Sequence, residues 1–480
     1  MVTRSGKRSA QGANEITAAG IEALRGTFRG ELLLPGDEGY DPARQVYNAM
    51  IDRRPALIAR CLGVADVVAA LEFGRSAGLE ISVRGGGHSV SGHAVVDGGL
   101  MIDLSLMRAV HVDPERMVAS VQGGALLMDL DREAAHFGLA TPAGLVADTG
   151  VGGLTLGGGY GWLARRYGLA CDNLRAAEVV TADGSLLTAS AEQNPDLFWA
   201  LRGGGGNFGI VTTFDIQLHR FGPMVGTGDL YFRVEDGTPA LRAFRDLLAE
   251  APDEFYLMAY VIHATADVPV AEEHRGRPVV GVSWVWVGDD LEEGERVAAP
   301  LHVGTPIAEV LESVTYVALQ SIALAPDRTG KRHYWKSSLL ADISDAALAA
   351  FLEGGAEANR SAPIMFAEML SMGGAIARVG EDATAFGNRH AVVDFICGAT
   401  WTDAAEDEQH MSGARDVWQA VSAHGSSGVY VNNLGSEGEG RIRAAYGAAK
   451  YQRLAEIKAR YDPENVFHLN QNIRPAEVHP

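Results

Sequence analysis

Arg84-Gly85-Gly86-Gly87-His88-Ser89-Val90-Ser91-Gly92-His93 is the stretch whose reading decides what this chain is. Four of its ten residues are glycines, so the backbone lies bare on both sides of one histidine. Bare backbone lets N–H groups come close to an anion, and lets two loops touch. The segment before it reads as strand, helix, strand. Ala56-Leu57-Ile58-Ala59, entered through Pro55, is the first strand. The helix has Asp66 in its first turn and Val67, Ala70, Leu71 and Gly74 at helical spacing, with Gly78 placed to stop it. Leu79, Ile81 and Val83 then alternate with Glu80 and Ser82, as a strand does. The chain therefore leaves a strand straight into glycine.

Two more glycine-dense stretches follow, Gly150-Val151-Gly152-Gly153-Leu154-Thr155-Leu156-Gly157-Gly158-Gly159-Tyr160-Gly161 and Arg202-Gly203-Gly204-Gly205-Gly206-Asn207-Phe208-Gly209. Between them, Glu178-Val179-Val180-Thr181 joined through Asp183-Gly184 to Leu186-Leu187 has the pattern of a hairpin. Tight turns alone would account for one glycine cluster. Three in one region point to loops that cradle a pyrophosphate. The site is of neither common nucleotide type. Gly204 to Gly209 satisfies G-x-G-x-x-G, but the β-branched run Ile210-Val211-Thr212-Thr213-Phe214 stands where the dinucleotide fingerprint needs a helix. No G-x-x-x-x-G-K-[ST] loop occurs.

Composition narrows the class. At 480 residues and 47% hydrophobic, the chain is long enough for two or three domains with full cores. Its 40 basic and 61 acidic side chains leave a net charge of −21, which disfavours nucleic acid and anionic membranes as partners. Cys61, Cys171 and Cys397 have no C-x-x-C spacing, so neither a disulfide framework nor a thiolate zinc site is indicated. His88 and His93 stand five apart without carboxylates or cysteines beside them, and no metal is expected. Residues 1–27 read as a loose tail without the apolar run of a secretory signal, and no segment has the apolar length of a membrane span. The expectation is a cytoplasmic α+β enzyme. A glycine-rich region covers 28–224. A second domain covers 225–430, with a strand in Pro278–Val287 and a helix near 345–359, and a last segment covers 431–480.

Several of these motifs occur together in one family. Arg84 through Gly92, Gly158-Gly159-Tyr160-Gly161, Tyr167-Gly168-Leu169, Asp172-Asn173, Trp199 through Gly209, Tyr461-Asp462-Pro463-Glu464-Asn465-Val466-Phe467 and Asn470-Gln471-Asn472-Ile473 resemble the berberine bridge enzyme-like FAD-linked oxidases over roughly 30–475. The resemblance implies a two-part PCMH-type FAD-binding domain, 28–224 completed by 431–480, around an α+β substrate domain with an antiparallel sheet at 225–430. It implies FAD linked covalently through His88. It also implies cofactor contacts at Arg84, Gly85, Gly86, Gly87, Ser89, Gly92, His93, Gly150, Gly152, Gly153, Gly159, Gly161, Gly209, Ile210, Val211, Asn432, Asn470 and Asn472. Many members add a second link through a cysteine twelve residues before the middle glycine of the Gly157-Gly158-Gly159 triplet. Val146 stands there, so that link is expected to be absent, and Cys171 reads as a packed thiol.

Flavin chemistry needs a base when a hydroxyl or an acidic C–H loses a proton as hydride leaves. Glu368 is the only charge in Met365-Phe366-Ala367-Glu368-Met369-Leu370-Ser371-Met372-Gly373-Gly374, and a lone carboxyl on an apolar strand face has a raised pKa. An edge-strand glutamate facing water is the plain alternative. Tyr260 and Tyr430 are placed to hydrogen-bond a substrate oxygen, or are core tyrosines. Within the family the chain is most similar to the Favorskiase-type oxygenases of poly-β-ketones. That likeness implies Glu368 as base, Tyr260 in the substrate pocket, and Thr149 beside flavin N5, steering oxygen into a flavin-N5-oxide. Asn433 departs from the usual aromatic residue. Of Asp394 and Ile396, Ile396 lies nearer the place of a base that some members carry before the later tryptophan, Trp401 here, and this favours Glu368. The expected activity is oxidation of a small organic substrate by molecular oxygen, with oxygenation of a β-dicarbonyl or polyketide-like compound as its sharper form. The alternatives are a plain oxidase of a sugar, alcohol or amine, a dehydrogenase using another acceptor, and a flavin-holding protein without turnover. A homodimer is compatible with all of them.

Overall fold

The computed structural model describes residues 16–322, 330–361 and 365–477. Of the tail expected over 1–27, residues 1–15 lie outside the described residues. The rest is not loose: Ala18–Arg25 is a helix, capped where the Thr17 hydroxyl accepts from Gly20 N and buried through Ile21 and Leu24.

The strand, helix, strand unit is Leu57–Arg60, Val64–Ser76 and Ile81–Arg84. Both strands pair in parallel with Leu100–Asp103, which lies between them, and Glu31–Leu33 closes the other edge antiparallel. Leu57, Val67, Leu71, Ile81 and Leu100 form its core. Gly78 ends the helix at φ +64, in the region that favours glycine. Ser82 is as buried as Ile81 although the two alternate, because a parallel strand is covered on both faces.

The next sheet is antiparallel, in the order Val110–Asp113, Val118–Gln122, Ile210–Gln217, Leu174–Val180, Leu186–Ser190. Its last pair is the hairpin through Asp183-Gly184. Helices Glu439–Tyr446 and Ala448–Tyr461 from the end of the chain pack into this unit, so Val121, Leu201 and Phe214 share one core with Tyr446, Leu454 and Ile473.

Residues 224–428 build an eight-stranded antiparallel sheet in the order Ala308–Thr315, Met224–Arg233, Pro278–Trp286, Phe255–His263, Met365–Ser371, Val393–Trp401, Arg332–Leu340, Ser426–Gly428. One face is covered by helices Gly237–Glu250, Asp345–Ser361 and Asp407–Ser422, and holds Phe244, Leu257, Phe351, Met369 and Phe395. The other face looks toward the glycine loops. Among the described residues no helix is long and apolar enough to cross a membrane.

One buried charge joins the chain's end to the third glycine loop. Lys458, 0% exposed, donates to Asn207 O (2.6 Å), Phe467 O (3.0 Å) and the Asp462 carboxylate (2.5 Å). Asp462 in turn accepts from Val466 N and Phe467 N. Burial pulls the Lys458 ammonium's pKa down. Removing one partner of such a pair leaves the other charge unpaired in a dry site, which costs about 3–5 kcal/mol. Lys458→Met is expected to lower stability toward urea by about that amount. A loss below about 1 kcal/mol would show that water reaches the pair, as at exposed ion pairs.

Candidate active site and cofactor cavity

The glycine loops and the open face of the large sheet enclose a cavity of about 670 Å³. Its loop side is made by Gly85, Gly86, Gly87, His88, Ser89 and His93, by Thr149, Gly150, Gly152 and Gly153, and by Gly209, Ile210 and Val211, with Asn432 and Asn470 from the last segment. All of these were expected from sequence. The loops meet because they lack side chains: a Cβ on Gly86 would lie 2.5 Å from Gly150 Cα.

Arg84, Gly92, Gly159, Gly161 and Asn472 are not in the cavity wall. The Arg84 guanidinium turns away to Ala43 O, with Asp103 4.0 Å off. Gly92 and Gly161 permit close packing, since a Cβ would fall 2.5 Å from Ile51 and 2.4 Å from Gly144 O. Gly159 N donates to the Tyr430 hydroxyl (2.9 Å). These residues shape the wall from behind.

The loop side suits a flavin nucleotide. Open space adjoins Gly153 and Gly206, where no atom lies within 4 Å of an added Cβ. His88 Nε2 and the side-chain oxygen of Asn470 are buried without a hydrogen-bond partner. The Asp148 carboxylate stands 3.6 Å from His88 Nε2. His93 is pushed down to about 4, first by burial and then by Arg53, so it is a neutral imidazole. No cysteine lines the cavity among the described residues, and Val146 does. Cys171 is buried elsewhere, and burial pushes its thiol up.

The sheet side is apolar and aromatic. Strand register puts Glu368 beside Ile396 on one side and Tyr260 on the other. Phe366, Leu370, Met258 and Trp335 share that face of the cavity, and Tyr160 and Trp162 close it from the loop opposite. Glu368 is half-buried, and the surface it keeps is the cavity's own. Desolvation alone pushes its carboxyl up to about 7, with no cation near enough to oppose it. No Lys, Arg or Asp lines the cavity among the described residues.

The two tyrosines part ways. Tyr430 lines the cavity, and its hydroxyl accepts from Gly159 N and from Asn432 Nδ2 (2.7 Å). Tyr260 does not reach the cavity. Its ring lies over Gly281, where a Cβ would be 2.0 Å away, and its hydroxyl is held by Ser283 (3.0 Å) beside Asp229. The missing side chain at Gly281 makes room for that tilt, which strand spacing alone does not reveal.

Asp394, which the sequence reading set aside, is 0% exposed directly behind the wall. It accepts from the Tyr160 hydroxyl and from Asn433 Nδ2, both at 2.8 Å, and burial pushes it up to about 7. Asn433, the departure from the family's aromatic, is thus half of a carboxyl-anchored pair in the cavity wall. The signal was present in strand Val393–Trp401, where an aspartate interrupts an apolar run. His333 and Trp335 gave no comparable signal, because a strand pattern says nothing of which loop it will face.

Comparison with known proteins places this geometry. Residues 55–190 match the family model described as FAD binding domain, and residues 429–474 the one described as berberine and berberine like. The chain is 34% identical over 463 residues to (R)-6-hydroxynicotine oxidase of Paenarthrobacter nicotinovorans, covering 94% of this chain and 97% of that one. It is 28% identical to glucooligosaccharide oxidase of Sarocladium strictum, covering 91% of each. The crystal structure of 6-hydroxy-D-nicotine oxidase from Arthrobacter nicotinovorans superposes with a TM-score of 0.83 at 31% identity, covering 94% of this chain and 98% of that one.

The Glu368 shift has a sign that stability measurements can check. Its carboxyl has an ordinary value of 4.5 and titrates at about 7 in the fold, so between those values the folded state holds a proton that the unfolded state has lost. Stability therefore falls as pH rises through that window and is level above it. Glu368→Gln, neutral throughout, should be the more stable protein above pH 7 by on the order of 3 kcal/mol. The advantage should vanish below the unfolded value. A difference that does not change with pH would mean the carboxyl is solvated.

Proposed function

The chain belongs to the berberine-like family of FAD-linked oxidoreductases, and from that membership we propose that it is an oxidase of a small apolar amine, using molecular oxygen, with Glu368 as the base. FAD is its cofactor, and when bound FAD accepts a hydride from the substrate and passes the electrons to oxygen. We take residues 28–224 with 431–480 as the FAD-binding unit and 225–430 as the substrate domain. The glycine-loop side of the cavity holds the cofactor, and His88 is its one covalent link. Val146 in the wall, where a second link would need a cysteine, supports the single attachment.

One observation carries the substrate class: a desolvated carboxyl stands alone among aromatic rings, with no Lys or Arg in the cavity wall among the described residues. A phosphate or carboxylate substrate would meet only repulsion there. A sugar would bring many hydroxyls to a wall of Phe366, Leu370, Met258 and Ile396 that leaves them unpaired. An ammonium is drawn to Glu368 and to the faces of Trp335 and Trp162. The named substrate of the relative from Paenarthrobacter is an amine of that kind.

The chain's own residues then have defined tasks. Aromatic walls exclude water and orient the carbon next to nitrogen. Glu368 takes the N–H proton, because a protonated amine has no lone pair to assist hydride departure and a carboxyl at about 7 can hold that proton near neutral pH. From the bound ammonium the substrate loses one proton to Glu368 and one hydride and becomes an iminium ion, and oxygen, taking that hydride and proton, becomes hydrogen peroxide. Tyr160 and Asn433, anchored on Asp394, keep the adjoining wall in place.

A second reading, oxygenation of a β-dicarbonyl compound, is favoured by Thr149. Its hydroxyl-bearing side chain is in the cavity wall, and its backbone is fixed by Leu127 N and Val146 O. Glu368 would then take the acidic C–H proton between two carbonyls.

Reduction of the flavin without oxygen by a hydrophobic secondary or tertiary amine is the expected first result; bleaching by oligosaccharides but by no amine would overturn the substrate class. The rate should rise with pH about a midpoint near 7, and Glu368→Gln should slow it about 10²- to 10⁴-fold and abolish the midpoint. With isotope-labelled oxygen, label in peroxide alone supports the oxidase, and label in product, lost in Thr149→Val, supports the oxygenase.

A further inference from the structure

The reaction as described leaves unused a column of three stacked rings at the edge of the cavity. Tyr47 lies between His88 and His333, with ring centroids 4.1 and 4.2 Å apart and interplanar angles of 19° and 17°. All three line the cavity. His88 and Tyr47 belong to the glycine-loop half, whereas His333 stands on strand Arg332–Leu340 of the large sheet.

The column is pinned from both sides. Tyr47 N donates to Gly87 O (2.9 Å), the residue before His88, and Ala49 N donates to Lys331 O (2.9 Å). Between them Asn48, 3% exposed, uses its whole amide: Nδ2 donates to Val90 O and to His333 O, both at 2.9 Å, and Oδ1 accepts from His333 N (2.9 Å) and Met50 N (3.1 Å). The His333 ring is held further by the Thr400 hydroxyl at 3.0 Å. Residues 47–50 therefore staple the His88 loop to the substrate sheet. The stack lies on top of that staple.

We propose that Tyr47 and His333 are positioning residues for the attachment of FAD to His88, and that attachment therefore requires the substrate domain to be docked. The proposal rests on His88 being the attachment point. An imidazole on a glycine loop turns freely about two side-chain bonds. Stacked on a ring that is itself stacked on a second element, it keeps one plane. Holding a nucleophile in such an attack geometry changes rates by orders of magnitude, and a displacement of about 1 Å can cost about 10²-fold.

The bond to be made sets the balance. A His88 ring nitrogen bonds to the carbon of the flavin's ring methyl, and the imidazole N–H and one methyl hydrogen leave as protons. The two electrons released pass through the cofactor ring to molecular oxygen, which becomes hydrogen peroxide. The Asp148 carboxylate, 3.6 Å from His88 Nε2, stands where the imidazole proton can go. Without the Tyr47 ring, the imidazole can still meet the methyl carbon, but only by chance orientation.

The test separates binding from attachment. Apoprotein incubated with FAD in air is sampled over time, and flavin that stays with acid-precipitated protein is compared with total bound flavin. Wild type should convert all bound FAD to the acid-stable form, and Tyr47→Phe, which keeps the ring, should do so at a similar rate. Tyr47→Ala and His333→Ala should bind FAD and attach it about tenfold to a hundredfold more slowly. Attachment at the wild-type rate in both overturns the proposal while leaving His88 in its role. A colourless wild-type pellet removes the attachment point itself, and the proposal with it. Should Tyr47→Ala fail to hold FAD, Tyr47→Leu against Tyr47→Phe decides: equal attachment rates in that pair overturn the stack's role.

Discussion

Backbone touching backbone is the constraint on which the rest of this molecule depends. A Cβ on Gly86 would lie 2.5 Å from Gly150 Cα, one on Gly123 2.3 Å from Val211 O, and one on Gly124 1.7 Å from Leu104 O. The Gly86–Gly150 and Gly124–Leu104 contacts join separate loops, and the Gly123–Val211 contact draws neighbouring strands of the antiparallel sheet together. They close the floor of the cavity with amide groups in place of side chains, which a phosphate-bearing cofactor needs and which only glycine permits. The buried Lys458 does the same work from the other end of the chain. By taking three carbonyl or carboxylate partners it fixes the last turn of the structure against the Asn207 loop, so the third glycine stretch is held by residues some 250 positions away in sequence.

On the opposite wall the governing effect is desolvation. Glu368 and Asp394 stand on neighbouring strands of one sheet face and both are pushed up to about 7, yet they differ in what surrounds them. Asp394 has two donors, Tyr160 and Asn433, and no opening to the cavity. Glu368 has the cavity and nothing else. A carboxyl whose proton affinity is raised and which faces the cavity is suited to exchange a proton with a ligand there; one already engaged by two side chains is suited to hold a wall. The pair shares a shift and not a role.

Much of this was legible in the sequence, for physical reasons that can be stated. Strand and helix around the first glycine loop follow from local periodicity and from Gly78, and their bounds fall within a residue or two of the pattern. The isolation of Glu368 was visible because strand alternation and the absence of neighbouring charge are both local facts. What was not legible is what lies across space. Tyr260 carries the same local pattern as Glu368 and sits directly opposite it in register, but the bare surface of Gly281 on the next strand takes its ring out of the cavity. Arg84, Gly92, Gly159, Gly161 and Asn472 were expected at the cofactor and are not among the residues that line the cavity. Asp394 and Asn433, 39 residues apart with no pattern linking them, meet only through the fold.

The staple at residues 47–50 carries this one step further. Its sequence, Tyr47-Asn48-Ala49-Met50, has no periodicity, charge or glycine to mark it, and it precedes the first strand of the parallel unit. Yet Asn48 satisfies every hydrogen bond of its amide by joining Val90 to His333, and an asparagine so used cannot be replaced by its closest relatives: aspartate lacks the two donors and leucine both functions. The chain is acidic, with a net charge of −21, and among the described residues no Lys or Arg lines the cavity. The groups that the wall offers instead are the bare amides of the glycine loops and the His88 imidazole. The His88 ring is stacked on Tyr47 and Tyr47 on His333 of the large sheet, so the orientation of that imidazole and the docking of the substrate domain share one column of rings.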